Sequence, residues 1–155
     1  MSHHFNTRAL LRADLPSIAS ILDATGLFPS ALLPAMAEPF LSAMADHLWL
    51  VICDSDQVIG FAYCEPERMT DGTHNLLAIA VSPDRQRMGI GTMLVAATQR
   101  HLAGLPARIL LVETSSLDEY AGTRAFYDQQ AFCREAVIRD YYGDGEAKLV
   151  FWKRL

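Results

Sequence analysis

The sequence lacks any segment able to cross a bilayer as a helix. Its longest unbroken apolar runs, residues 48–53 and 76–81, are six residues each, against the roughly 20 that a spanning helix needs, so no membrane partner is expected. Positive charge is also in deficit. Thirteen Lys and Arg face eighteen Asp and Glu, a net charge of −5, which argues against a chain built to coat nucleic acid. An acidic surface suits a cationic substrate such as an amine. Cysteine is scarce: Cys53, Cys64 and Cys133 are far apart, and no Cys-x-x-Cys occurs. Three thiols cannot all pair within one chain, so reduced, buried cysteines are expected rather than disulfides or a metal site. His3 and His4 are metal-capable but fit a disordered end. No basic region followed by an apolar core opens the sequence, so no signal peptide is read and the cytoplasm is the expected location. Linkers rich in Gly, Ser or Pro and internal repeats are missing as well, which leaves 1–155 as a single domain.

What is present is the makings of a core. Hydrophobic residues make up 51% of the 155 and charged ones 20%, which excludes a disordered or fibrous chain. A domain of this length buries roughly two-thirds of its unfolded surface. Residues 7–12 read as a short strand. Asp14 is positioned as a helix N-cap ahead of Leu15 and Pro16, with Ile18, Ile21 and Leu22 on one face and Gly26 as the stop. A second helix follows Pro29-Ser30 to about Met44. Residues 48–53 and 58–65 form a hairpin, and 75–81 a further antiparallel strand. A helix over 89–102, a strand over 108–113, a helix over 120–130 and strands over 132–141 and 147–153 complete the chain. The expected class is α/β with a mixed sheet, in the order β-α-α-β-β-β-α-β-α-β-β.

The most informative stretch is Val81-Ser82-Pro83-Asp84-Arg85-Gln86-Arg87-Met88-Gly89-Ile90-Gly91-Thr92. A strand ends, a proline turns the chain, and a glycine pair opens a helix. Glycines let backbone N–H groups approach an anion, and a helix N-terminus adds about half a positive charge. Arg85 and Arg87 place two cations at the same opening. Either the loop binds a pyrophosphate, or Gly89 and Gly91 permit tight helix–sheet packing. A dinucleotide fingerprint would need Gly where Leu94 stands, and a Walker loop would need Gly-Lys-Ser/Thr, so both are excluded.

Gln86-Arg87-Met88-Gly89-Ile90-Gly91 resembles the Q/R-x-x-G-x-G/A acetyl-CoA signature of the GNAT superfamily of N-acetyltransferases, and Ala80-Val81-Ser82-Pro83-Asp84 before it matches too. Downstream, the segment from Tyr120 through Phe126-Tyr127 to Ala131-Phe132 is similar to that family's helix ending F/L-Y-x-x-x-G-F. The resemblance implies the GNAT fold and transfer of acetyl from acetyl-CoA to a primary amine, with no metal. It also implies that Gln86, Arg87, Met88, Gly89, Ile90, Gly91 and Thr92 hold the pyrophosphate. Ile79, Ala80 and Val81 would pair with the pantetheine arm and supply an oxyanion-binding N–H. Tyr127 would protonate the departing thiolate: with a pKa near ~10, against the thiol's ~8.5, a phenol is neutral at pH 7 and can give a hydrogen bond or proton as sulfur charge builds. Two departures stand out. Tyr120 occupies a position where the family often has a coenzyme-touching asparagine, and Ala131 replaces the glycine, so the turn there avoids positive φ or carries strain.

A lysine-like amine with pKa ~10.4 is neutral about once in 2,500 molecules at pH 7, so the reaction needs a base. Glu113, at the end of a central strand, is either that base or an exposed strand-end charge. Glu65 and Glu67 read as a site carboxylate or as solvated loop residues. Asn75 stands where histone-type relatives carry the base and cannot take a proton, and His74 alternates to the opposite face. Phe28 and the pair Tyr141-Tyr142 are the expected acceptor lining. The tyrosine pair resembles a peptide-holding loop of enzymes that acetylate protein N-termini, and equally fits ordinary edge packing. The acceptor is thus a small-molecule amine or a peptide. A non-catalytic acyl-CoA-binding sensor is the alternative, and exposed C-terminal edge strands leave a homodimer open.

Overall fold

The computed structural model describes residues 2–155. Its elements are β1 (Phe5–Ala9), α1 (Leu15–Thr25), α2 (Leu33–Leu41), β2 (Leu48–Asp54), β3 (Gln57–Pro66), β4 (Thr73–Val81), α3 (Ile90–Ala103), β5 (Ile109–Ser115), α4 (Ala121–Gln129), β6 (Cys133–Gly143) and β7 (Glu146–Arg154). This is the order expected from the sequence. The strands form one seven-stranded mixed sheet in the order β1-β2-β3-β4-β5-β7-β6. No helix among the described residues is long and apolar enough to cross a membrane.

The chain packs as two compact units. One takes residues up to Glu65 together with Ala78–His101, the other Pro66–Leu77 together with Leu102–Leu155. In the first, Ile18, Ile21, Leu22, Leu33 and Ala37 of α1 and α2 join Trp49, Val51, Phe61 and Tyr63 of β2 and β3 in a single apolar cluster. β2 is buried along nearly its whole length, as an apolar run covered on both faces must be. Gly60 is required by packing: a Cβ there would stand 2.9 Å from the Ala80 carbonyl and 3.4 Å from Leu94 of α3. In the second unit, β5 lies between β4 and β7. It pairs parallel to β4 from Thr73↔Ile109 to Leu76↔Val112 and antiparallel to β7 from Ile109↔Arg154 to Ser115↔Lys148. The β4–β5 ladder ends there, although β4 continues to Val81 and β5 to Ser115.

Several local expectations are corrected. The first strand is Phe5–Ala9 rather than 7–12, because Leu10 turns inward, 3% exposed, with its N–H donating to the Trp49 carbonyl. Asp14 does not cap α1 with its side chain. Its carboxylate accepts from both terminal nitrogens of Arg8, at 2.7 and 2.9 Å, and from the Leu11 N–H at 2.7 Å. α2 ends at Leu41, not Met44. Cys53 and Cys64 are buried free thiols as expected, but Cys133 is exposed because β6 is the outer strand and is exposed throughout. β7 is not an edge at all; it lies between β5 and β6.

Candidate active site

In the first unit, β4 leads into a 3₁₀ turn, Pro83–Arg85, closed by the Arg85 N–H donating to the Ser82 carbonyl at 2.8 Å. The Ser82 hydroxyl donates to Asp84 at 2.6 Å, and Gln86 Nε2 reaches back to the Val81 carbonyl at 3.3 Å. Arg87 and Gly89 both adopt left-handed backbone, φ 62° and 76°, and α3 begins at Ile90. A Cβ built on Gly89 meets nothing within 4 Å. Helix–sheet packing therefore does not account for that glycine. It permits positive φ at an exposed loop, and successive N–H groups with alternating backbone handedness form an anion-binding concavity. Holding Arg87 in the same region costs on the order of 1–2 kcal/mol, the sort of strain that collects at ligand-binding loops.

The side chains of the loop divide. Met88 is exposed, whereas Ile90 is 1% exposed and anchors the helix beneath, so it can offer a ligand only its backbone. Ile79 and Val81 are half-buried and Ala80 is buried. Arg85 is not a second cation facing the loop opening. Its Nη1 lies 2.8 Å from Asp54, which also pairs with His3 at 2.8 Å. Phe28 packs against the first unit's core, and Glu65 lies 3.4 Å from His47 Nε2.

The second unit gathers the chemistry. Tyr127, on α4, is 2% exposed and boxed by Phe126, Phe132 and Phe151, with ring centroids 5.1, 5.5 and 5.6 Å away. Burial pushes its phenol pKa well up, so it stays protonated through the physiological range. Phe151 is the register partner of Val112, and the next residue of β5, Glu113, partners Val150. Side chains alternate along a strand, so Glu113 emerges at the same level as Tyr127 but on the other face of the sheet.

On that face Glu113 has company. Asn75 Nδ2 donates to Glu113 Oε1 at 3.1 Å and to Glu67 Oε1 at 2.9 Å. Lys148 Nζ lies 3.1 Å from Glu113 Oε2 and 3.8 Å above the Tyr141 ring. Burial is the largest influence and opposes the charge on Lys148, but hydrogen bonds to Glu113 and Tyr141 and the charges of both together outweigh it, and its pKa is raised. Tyr141 and Tyr142 stack edge to face at 5.0 Å. Burial, and then the Glu113 charge, raise the Tyr142 pKa. His74 pairs with Leu110 and so faces away from Asn75, its pKa held down by burial. Tyr120 is partly exposed, in the turn before α4.

Lys148 escaped sequence reasoning. Its one signal is a lysine within the otherwise apolar run of residues 147–152. Glu67 and Asn75 were visible singly, but not as a pair, because the reach of the β3–β4 loop decides their meeting. Among the described residues, no group of three or more His, Cys, Asp or Glu is arranged to hold a metal ion.

The sequence pattern of the acetyltransferase (GNAT) family matches residues 16–132. The chain belongs to that family. Solved GNAT structures agree over nearly the whole length. A GNAT-family protein from Desulfovibrio desulfuricans is 28% identical, with 99% of each chain covered and a TM-score of 0.88. The ribosomal-protein-S18-alanine N-acetyltransferase of Escherichia coli is 22% identical, covering 97% of this chain and 94% of that one at TM-score 0.76. The Salmonella typhimurium acetyltransferase yncA, solved with its cofactor acetyl-CoA, is 16% identical, with 97% and 94% covered at TM-score 0.79. The last two likenesses speak for the fold alone. Comparison with curated proteins finds no match.

Proposed function

We propose that residues 1–155 act as one N-acetyltransferase domain that moves an acetyl group from acetyl-CoA to a primary amine, on a small molecule or at a peptide or protein N-terminus. The observation that carries this reading is the pairing of a buried, neutral phenol and a carboxylate at one level of β5, on opposite faces of the sheet. Amine acetylation uses one group of each kind, since one proton leaves the acceptor and another must reach the thiolate. Acetyl-CoA supplies an activated thioester. Backbone N–H groups along Gln86, Arg87, Met88, Gly89, Ile90, Gly91 and Thr92 hold the diphosphate, and the backbone of Ile79, Ala80 and Val81 pairs with the pantetheine arm. Tyr127 is the general acid and Glu113 the general base, with Tyr141 and Tyr142 lining the acceptor side. A positioned acid or base is typically worth about 10²–10⁴ in rate.

The test combines calorimetry of acetyl-CoA binding with thiol release across a panel of primary amines and short peptides. Saturable heat with turnover of at least one acceptor is the expected result. Heat without turnover across the panel would favour the sensor, and no heat at all would end both readings.

A further inference from the structure

We propose that the chain pairs with a second copy of itself along the outer edge of β6, antiparallel and in a register centred on Val137. β6 is the last strand of the sheet, and every one of its residues is exposed. The free edge of such a strand offers unpaired backbone N–H and C=O groups, a template for another strand. Val137 is 63% exposed and Ile138, its neighbour on the opposite face, 44%, so both faces of the edge are apolar and bare at the same level. The order of the charges around them names the partner. Residues 134–140 read Arg-Glu-Ala-Val-Ile-Arg-Asp. An edge defended against its own copy would present like charges to it; this one presents opposite charges.

In a two-fold interface each contact occurs twice, residue i on j and j on i. Centred on Val137, the pairing sets Glu135 opposite the partner's Arg139, Arg134 opposite the partner's Asp140 and Ala136 opposite the partner's Ile138. Every charged residue of the segment meets its opposite. A slip of one residue undoes this: in one direction Glu135 faces the partner's Asp140, in the other Arg134 faces the partner's Arg139, and like charges across a ladder are destabilising. The charges therefore select one register along with the partner. Glu135 and Arg139 are the decisive pair, because neither side chain makes a hydrogen bond or ion pair among the described residues. Arg134, by contrast, also holds Asp128 at 2.7 Å, and Asp140 Oδ1 accepts from the Gly145 N–H at 2.8 Å. The regular stretch of β6 is short. Arg134 partners Phe151 and Ala136 partners Val150, which leaves Glu135 as an extra residue against β7, and the register shifts again beyond Ile138. At those flanks the Glu and Arg side chains are long enough to meet across a diagonal as well as directly.

Sedimentation velocity over a concentration series, with the charges exchanged, tests the pairing. The parent chain is expected to dimerise reversibly. Glu135→Arg sets arginine against arginine at both contacts and Arg139→Glu sets glutamate against glutamate, so each variant alone should associate about tenfold or more weakly. Mixed in equal amounts, the two variants should form a heterodimer of parental strength, since each offers the charge that the other lacks. Glu135→Arg combined with Arg139→Glu in one chain should likewise restore the homodimer. Both positions are exposed, so the fold tolerates the changes, and recovery on mixing excludes misfolding as the cause of the loss. A parent chain that stays monomeric through the high-micromolar range would overturn the pairing. So would single variants that dimerise as tightly as the parent, or a mixture and a double exchange that both stay monomeric.

Discussion

Tyr127 is buried among three aromatic rings, and the absence of solvent that raises its pKa also makes it a reluctant anion. In the proposed reaction it would stay neutral until charge develops on sulfur and then give that sulfur a hydrogen bond or proton. Tyr127→Phe keeps the ring and its packing and removes only the hydroxyl. The expected outcome is a kcat lowered about 10²–10⁴-fold, with an unchanged thermal unfolding curve and unchanged acetyl-CoA heat. A variant with full turnover would strip Tyr127 of the acid role. At this scale the sequence was readable where a residue's part is local. The tyrosine lay in a spaced motif and Glu113 at a strand end, but Lys148 and the Asn75–Glu67 contact depend on which strands become neighbours, which no local pattern encodes. Phe28 is ambiguous by nature, since an aromatic in a helix–helix turn suits a pocket and a core equally; its half-buried ring packs against the core.

The end of α4 explains a motif that looks like mere spacing. The Phe132 N–H donates to the Tyr127 carbonyl and the Ala131 N–H to the Asp128 carbonyl, each at 3.2 Å, while Ala131 sits at φ 63°. Together these make a Schellman cap, in which the left-handed residue favours glycine and an apolar contact joins the flanking positions. The Tyr127–Phe132 ring pair is that contact. The tyrosine, glycine and phenylalanine of the family pattern are thus parts of one helix terminus that fixes the Tyr127 ring. Ala131 keeps the geometry and carries the strain. Ala131→Gly should stabilise the protein by about 0.5–1 kcal/mol, the relief of a left-handed alanine less glycine's greater unfolded entropy. Thermal melts would show this as a rise of roughly 1–4 °C; a fall would mean that the turn is unstrained. The order of elements was legible because each has its own periodicity and stops. The place of β7 inside the sheet was not, since hydrogen-bond partners far apart in sequence leave no mark on a single strand.

Across the whole molecule, burial of ionisable groups sets how stability responds to pH. Cys64 is 1% exposed, and burial pushes its thiol from 9.0 up to about 12; burial pushes the Tyr127 phenol up as well. In the unfolded chain both groups ionise near their ordinary values, whereas the folded chain resists. Their contribution to stability is therefore fully present below about pH 9 and is lost as the pH climbs toward 12, first through Cys64 and then through Tyr127. The loss reaches about 1.4 kcal/mol per pH unit for each group. On the acid side, Asp14 works in the other sense. The Arg8 hydrogen bonds hold its pKa below the usual carboxylate range, so its contribution is present at neutral pH and disappears as the pH falls below about 4. Melting temperature under reducing conditions should thus be flat through neutrality and drop above pH 9. Cys64→Val, which keeps an apolar side chain in the site and removes the thiol, should make that drop shallower, with Cys53, its thiol also raised by burial, still contributing from about pH 9 and Tyr127 joining near pH 10. An identical alkaline drop in the parent and in Cys64→Val would show that the Cys64 thiol does not drive it, and would shift the cause to Cys53 and the tyrosines.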